Sequence, residues 1–264
     1  MPDAAPVAPL AGPFACAPGF DDTSRPGSEW MARDAVRFAR AESGAEVPHA
    51  SFTWYAWDRP TLTVGTLQDA ARDLDLAACA RDGIPVVRRP TGGRAVLHAD
   101  EWTYGAIVPL DHPELGGNLA ESCRALVGLV CAALESAYGV AAAPADGRAA
   151  GRAAIAATAG SAACFARAYG HEAVVGGRKL MGSAQRRGRR VLLQQGSLLV
   201  GPGHERLARY LRGAGPELER ALAEGTVTLG ALCGGRPDPA PFRTAFARVW
   251  EESARGGYAP ARSA

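Results

Sequence analysis

Lysine is nearly absent from this chain of 264 residues. Lys179 is the single lysine among 29 cationic residues, so the other 28 are arginines. Arginine stays charged at any usable pH, whereas lysine is a compact ammonium that can lose its proton when desolvated. Either chance left one lysine in an arginine-rich sequence, or this position needs a small cation or a titratable amine. Composition alone leaves both readings open and makes Lys179 a candidate catalytic residue.

Charge excess and paired cysteines are also lacking. The net charge is only +2, which gives no electrostatic case for a nucleic-acid partner. The five histidines are too few and too scattered for a metal cluster, and no CxxC pair indicates a zinc site. We therefore expect free thiols in a reducing compartment. The six cysteines are Cys16, Cys79, Cys123, Cys131, Cys164 and Cys233.

Long apolar runs are missing as well. No stretch approaches the roughly 18 apolar residues of a membrane span. Residues 1–20 contain neither a basic start nor a sustained apolar middle, so they do not resemble a secretion signal. These features predict a cytoplasmic protein that acts without a membrane.

The residue pattern alternates between helix and strand, with a hairpin around Gly176 and Gly177, and predicts a single α/β domain with a mixed sheet. We expect residues 1–24 to be a loose leader, 25–200 the catalytic core, and 201–264 a helical extension of the same domain. Ser28 is a candidate N-cap for the first helix, and the Ala/Gly-rich residues 141–163 suggest a mobile loop that could act as a substrate lid. Helices are predicted over 29–42, 69–81, 121–138, 204–212, 216–223 and 240–254, and strands over 52–57, 61–64, 84–87, 95–98, 102–108, 171–175, 178–186 and 190–200.

The most specific segment is residues 88–98, Arg-Arg-Pro-Thr-Gly-Gly-Arg-Ala-Val-Leu-His. Paired glycines between strands let the backbone approach a ligand closely, and flanking arginines can face an anion. The same residues also suit a simple turn whose arginines are exposed to solvent. Two further segments strengthen the functional interpretation, namely Gly-Ser-Ala-Gln at 182–185 and Gln-Gly-Ser-Leu-Leu at 195–199.

In combination these segments resemble the biotin/lipoate protein ligase and octanoyltransferase superfamily, over residues 30 to 199. The resemblance implies the catalytic-domain fold of that superfamily, an α/β fold with a mixed, largely antiparallel sheet flanked by helices. It also implies that the glycine-rich segment borders an acyl pocket and that Lys179 lies against the acyl carbonyl. The residues given a substrate-binding role by this resemblance are Arg89, Thr91, Gly92, Gly93, Arg94, His98, Gly182, Ser183 and Ala184.

Cys164 precedes Lys179 by fifteen residues, which is similar to the cysteine-dependent octanoyltransferases of the LipM type. This resemblance implies that Cys164 accepts an octanoyl group from the phosphopantetheine of acyl carrier protein. The group would then pass to a lysine of a lipoyl domain, such as that of the glycine cleavage H protein. Because one thioester replaces another, neither ATP nor a cofactor is expected.

The sequence is also compatible with three other functions. An amidotransferase moving octanoate between lipoyl domains would use the same residues. In an ATP-dependent lipoate ligase Cys164 would be idle, and a non-catalytic acyl-carrier-binding module would not need it.

The neighbouring polar residues allow less specific expectations. His98 either orients the glycine-rich loop through hydrogen bonds or transfers a proton directly. Asp100 and Glu101 are expected to be capping or surface groups. A basic strip could be a solvated turn or could steer acidic protein partners; it comprises Arg178, Lys179, Arg186, Arg187, Arg189 and Arg190.

Overall fold

The computed structural model describes residues 18–45, 49–145 and 172–254. Cys164, and the part of the predicted loop 141–163 that follows residue 145, lie outside these ranges. The placement of Cys164 relative to Lys179 therefore stays a prediction.

The described strands form two sheets. The larger has seven strands in the order β1-β2-β6-β10-β9-β8-β7, and only the pair β1 and β2 is parallel. The smaller has the order β4-β3-β5, with β3 and β4 parallel. This arrangement confirms the predicted mixed, largely antiparallel sheet. The strands are β1 (Gly19–Arg25), β2 (Ser51–Trp57), β3 (Thr61–Val64), β4 (Val86–Arg88), β5 (Val96–His98), β6 (Glu101–Pro109), β7 (Ala143–Pro144), β8 (Ala173–Val175), β9 (Arg178–Arg187) and β10 (Val191–Leu199).

Helices cover both faces of the larger sheet. The helices of the described part are α1 (Gly27–Ser43), α2 (Ala70–Asp73), α3 (Leu76–Arg81), α4 (Leu119–Tyr138), a 3-10 helix (His204–Tyr210), α5 (Pro216–Gly225), α6 (Leu229–Cys233) and α7 (Pro239–Ala254). Helix α4 begins with a capping box between Asn118 and Glu121 and ends at Gly139 in the left-handed conformation. None of these helices combines the length and apolar character that a membrane crossing requires.

The main hydrophobic core lies on the face of the larger sheet that α4 and α7 cover. Phe52 and Trp54 project there from β2, where they contact Tyr104 of β6 and Phe246 of α7. Successive strand residues point to opposite faces, so Thr53 and Tyr55 point away from this core. Tyr55 instead stacks on Trp30 of α1, with 4.4 Å between ring centroids.

The opposite face of the larger sheet is shared by α1 and the smaller sheet. Phe38 of α1 packs there against Ile107 and Leu193. The smaller sheet has a separate apolar cluster that includes Leu62, Leu97 and Leu207. The two sheets are thus stabilised by different clusters, and the space between them is available for a site.

Several local predictions were wrong. Pro26, not Ser28, is the N-cap of α1, with no side-chain cap hydrogen bond. The helix predicted over 69–81 is two short helices, because Asp75 accepts the backbone N–H of Ala78 and starts a new helix after extended Leu74. Part of the predicted leader is strand β1, which is ordered by its parallel pairing with β2.

Candidate active site

A pocket lies between the two sheets and encloses about 430 Å³, including its open mouth. Strands β9 and β10 form its floor, and the glycine-rich segment and α1 border it. Its lining consists of Met31, Tyr55, Trp57, Thr63, Arg89, Val96, His98, Thr103, Gly182, Ser183, Ala184, Gln195, Gly196 and Ser197.

The surface that the pocket offers to a ligand is almost entirely apolar, although half of its side chains are polar. These polar groups bond to other side chains: Trp57 Nε1 donates to Thr103 Oγ1 at 2.6 Å, and Ser197 donates to Glu101, which does not line the pocket. Small residues at Gly182 and Ala184 leave the floor open. The pocket therefore suits an aliphatic chain better than a charged group.

Arg89 holds the glycine-rich loop from inside the protein. Its guanidinium donates to the carbonyl of Gly92 at 2.7 and 3.1 Å and to that of Arg94 at 2.8 Å. Gly93 has a φ of +89°, and a Cβ there would lie 2.7 Å from Arg89 Nη2. The second glycine is therefore required by both conformation and space.

The neighbouring Arg88 also binds the backbone. Its Nη1 donates to the carbonyls of Gly65, Thr66 and Gln68. Both arginines thus bind carbonyl oxygens, whereas the sequence suggested that they could face an anion. The two guanidinium groups therefore bind the backbone of two adjacent loops, at residues 65–68 and 92–94.

His98 is connected to the loop through an ordered chain of hydrogen bonds. Its Nδ1 lies 2.6 Å from Glu101 Oε1, and its Nε2 lies 2.8 Å from Thr63 Oγ1. Thr63 Oγ1 also accepts from Arg89 Nη1 at 3.1 Å. Since both ring nitrogens have protein partners, the structure favours loop orientation over direct proton transfer by His98.

Glu101 is not the surface or capping group that the sequence suggested. It is 5% exposed and accepts hydrogen bonds from Ser197 and Thr103 in addition to its contact with His98. Burial alone would raise the pKa of Glu101, but His98, Ser197 and Thr103 together hold that pKa below its usual value. Glu101 is therefore a buried anchor for His98.

Lys179 is buried rather than exposed. It is 2% exposed, and its Nζ lies 2.5 Å from Glu172 Oε1. The backbone N–H of Val227 donates to the carbonyl of Lys179, and this segment covers the start of β9. Lys179 lies three residues before Gly182 on the same strand but is not among the residues that line the pocket.

The structure brings most of the predicted site together. Arg89, His98, Gly182, Ser183 and Ala184 line the pocket. The remaining predicted loop residues, Thr91, Gly92, Gly93 and Arg94, stay next to it, since Thr91 donates to the pocket residue Gln195 at 2.8 Å and Arg89 binds the carbonyls of Gly92 and Arg94. Lys179 lies beside this group with Glu172, which the sequence did not single out.

The predicted basic strip is not one surface. Arg178 begins β9, and Arg186 and Arg187 end it, about 30 Å away for an extended strand. Arg186 lies over the ring of Phe38 at 4.6 Å, and Arg187 donates to Ser122 and Gly117. Lys179 is buried between these ends.

Four cysteines lie in the described ranges, and none lines the pocket. Burial raises the pKa of Cys123 to about 11 and that of Cys131 to about 12. Burial also raises the pKa of Cys79 and Cys233. Thiols with raised pKa values are poor nucleophiles, and Cys123 and Cys131 are small, buried core residues.

Curated relatives identify the group of proteins that this chain resembles in sequence. It is 40% identical over 218 residues to octanoyltransferase LipM of Kyrpidia tusciae, which covers 81% of this chain and 78% of the relative. It is 36% identical over 193 residues to octanoyltransferase LipM of Carboxydothermus hydrogenoformans, covering 73% and 68%.

Solved structures share the fold. A lipoate protein ligase of T. acidophilum with bound lipoic acid superimposes with a TM-score of 0.66 at 16% identity, covering 92% of this chain and 87% of that one. Lipoate-protein ligase A bound with ATP gives 0.65 at 17% identity, covering 91% and 86%. The family model of the lipoyl protein ligase A/B catalytic domain matches residues 29–247. The chain belongs to this lipoyl protein ligase A/B family.

Proposed function

We propose that this protein is an octanoyltransferase of lipoate biosynthesis, which moves an octanoyl group from acyl carrier protein to a lysine of a lipoyl domain. The observation that carries this proposal is the apolar pocket bordered by the glycine-rich segment and by Gly182, Ser183 and Ala184. An eight-carbon chain is a suitable occupant of such a pocket. The LipM relatives support the same acyl group.

In the first half of the reaction, the Cys164 thiolate attacks the thioester carbonyl of the octanoyl donor. The tetrahedral intermediate collapses, the bond to the phosphopantetheine sulfur breaks, and that thiolate leaves and takes a proton. Octanoyl-Cys164 results. Because a thioester is exchanged for a thioester, the step requires no ATP and no cofactor.

In the second half, the amine of the acceptor lysine attacks the carbonyl of octanoyl-Cys164. The carbon–sulfur bond breaks, the Cys164 thiolate leaves, and the new amide has lost one proton. Lys179 and Glu172 form a buried ionisable pair at the start of β9, three residues before the pocket residue Gly182, so we assign proton transfer and stabilisation of the carbonyl to this pair. Backbone N–H groups of Gly92 and Gly93, or those near Gly182, are candidate donors to the oxyanion.

The partners follow from this chemistry. The donor is acyl carrier protein, and the acceptor is a lipoyl-domain protein, for which the glycine cleavage H protein is our first candidate. A reaction that depends on a free thiol favours the reducing cytoplasm.

One assay separates this function from its rivals. The purified protein is mixed with an apo lipoyl domain and with one of three donors: octanoyl carrier protein, octanoyl H protein, or octanoate with ATP. We expect rapid transfer from octanoyl carrier protein without ATP. Faster transfer from octanoyl H protein would instead indicate an amidotransferase, a requirement for ATP would indicate a ligase, and binding without transfer would indicate a carrier-binding module.

A further inference from the structure

Gln195 connects the glycine-rich loop to the first helix. It is a buried pocket residue on β10, and its Oε1 accepts the hydroxyl of Thr91 at 2.8 Å. Its Nε2 donates to Asp34 Oδ2 of α1 at 2.8 Å and lies 3.4 Å from the sulfur of Met31. One amide therefore joins the loop, the pocket floor and α1.

The hydrogen bonds of this amide have a fixed direction. The carboxylate of Asp34 can only accept, so the NH₂ end of Gln195 must face it. The oxygen of Gln195 must then face Thr91, whose hydroxyl has to donate. Asp34 thereby determines the orientation of Gln195, and Gln195 determines that of Thr91.

Glycine at position 105 leaves room for the carboxylate of Asp34. A Cβ at Gly105 would lie 2.6 Å from both carboxylate oxygens, so the glycine leaves room for them. Tyr55, which also lines the pocket, donates its hydroxyl to Asp34 at 3.2 Å, and Arg37 lies 3.5 Å away. Two of the partners of Asp34 are thus pocket side chains.

Stability alone does not account for a buried acid at this place. Asp34 is 1% exposed, and burial raises its pKa above the usual value, against the opposing effects of Arg37, Gln195 and Tyr55. Replacement of buried ionic groups by apolar ones is often neutral or stabilising in proteins. The carboxylate is therefore better explained by its effect on neighbouring groups.

We infer that Asp34 and Gln195 are positioning residues that hold Thr91 and the glycine-rich loop in the geometry needed for acyl transfer. This inference rests on the proposed function, because the loop borders the pocket in which the acyl group would lie. We assign neither residue a contact with the reacting atoms. Both act through Thr91.

The chain provides a matched control in the next residue. Gln194 is equally buried, but it points to the opposite face of β10. Its Nε2 donates to Tyr104 at 2.7 Å, and its Oε1 accepts from Gln185 at 2.7 Å. Gln194 thus makes two side-chain hydrogen bonds, and Gln195 makes two to oxygen atoms and a third to the sulfur of Met31, but only Gln195 faces the pocket.

The test compares Gln195→Met with Gln194→Met in thermal unfolding and in steady-state octanoyl transfer. We expect both to lower the melting temperature by similar amounts. Gln195→Met should lower kcat/KM at least about tenfold, because small displacements of positioned groups cost large factors in rate. Gln194→Met should stay within about twofold of the wild type. Equal losses of transfer in the two variants would overturn the inference.

A second experiment uses the conservative variant of Thr91. We expect Thr91→Ser, which keeps the hydroxyl, to retain transfer, and Thr91→Val to lose about as much as Gln195→Met. The double variant Thr91→Val with Gln195→Met should then lose little more than either single variant, because the residues act as one unit. If the rate losses of the two single variants instead multiply in the double variant, Thr91 and Gln195 do not act as one unit. A Thr91→Val variant as active as Thr91→Ser would also contradict the inference.

The failure of this inference can be distinguished from failure of the proposed function. If the wild type transfers no octanoyl group from any donor, the proposed function is wrong. Calorimetric titration with octanoate then still tests the positioning role of Gln195. A displaced loop should weaken octanoate binding in Gln195→Met but not in Gln194→Met. Equal affinities in the two variants would overturn the positioning role.

Discussion

At the scale of single residues, the only lysine has a defined environment. The pairing of Lys179 with Glu172 shows that both the length of the amine and its compact charge fit a buried position. A guanidinium is planar and larger, and it does not deprotonate in proteins. Codon preference alone therefore does not explain why an arginine is missing here.

This gives a first prediction for Lys179→Arg. We expect the variant to fold and to lose at least about a hundredfold in transfer to the lipoyl domain, which is the typical effect of removing a proton-transfer group. Transfer rates and circular dichroism would be measured together. Near-normal turnover in a folded Arg variant would mean that positive charge is sufficient at this position.

A second prediction concerns the pH dependence of stability. The folded-state pKa of Glu101 lies below its usual value of 4.5, so its contribution is present above that value and is lost as the pH falls through the folded-state pKa. Wild type should therefore lose stability relative to Glu101→Gln as the pH falls below about 4.5 and through the folded-state pKa. Urea unfolding at several pH values measures this difference. A constant difference across the range would contradict the role of Glu101 as a buried carboxylate.

At the scale of elements, the glycine-rich loop depends on a guanidinium with several donors. Arg89 reaches two carbonyls of the loop and Thr63 of β3 at the same time. Lysine has a single nitrogen and cannot span these acceptors.

We therefore predict that Arg89→Lys lowers kcat/KM for the octanoyl donor by at least about tenfold while keeping the charge. Arg59→Lys is a suitable control, because the side chain of Arg59 is exposed and pairs with the adjacent Asp58. Steady-state kinetics of both variants would decide. Equal kinetics in the two variants would show that transfer does not depend on the hydrogen bonds from Arg89 to the glycine-rich loop.

The middle of β10 provides a prediction about packing. A Cβ at Gly196 would lie 2.1 Å from the ring of Tyr104 on β6. Gly196→Ala should therefore destabilise the protein by about 1–3 kcal/mol, as overpacking of a core does. Gly225→Ala in α5 is the control, because nothing lies within 4 Å of a Cβ there. Thermal unfolding of both variants tests this, and equal stability would contradict the close packing of β6 on β10.

The elements also show what the sequence could predict. Periodicity and turn residues identified most strands and the long helices, and the glycine-rich segment does border the pocket. Asp34 and Gln195 were not identified as partners, because they are 161 positions apart and meet only when α1 packs on the larger sheet. Tyr55 and Trp57 were interpreted only as strand residues, since a local pattern does not reveal which face lines a cavity. The helix over 69–81 was overextended because the N-cap role of Asp75 was not recognised.

At the scale of the whole molecule, the larger sheet separates the main hydrophobic core from the pocket. The aromatic core lies on one face of the larger sheet, and the pocket lies on the other. Substitutions of side chains that point to the pocket face, such as Gln195, can therefore change catalysis with limited effect on the main core. This separation is why matched variants on the two faces of β10 are informative.

In the proposed function, octanoyl transfer passes through a thioester on Cys164. The most direct measurement is the intact mass of the protein after it is mixed with octanoyl carrier protein in the absence of acceptor. We predict the mass gain of one octanoyl group in the wild type and in Cys123→Ala, and no gain in Cys164→Ala. A Cys164→Ala variant that still gains the octanoyl group, or that transfers it to the lipoyl domain at the wild-type rate, would contradict the claim.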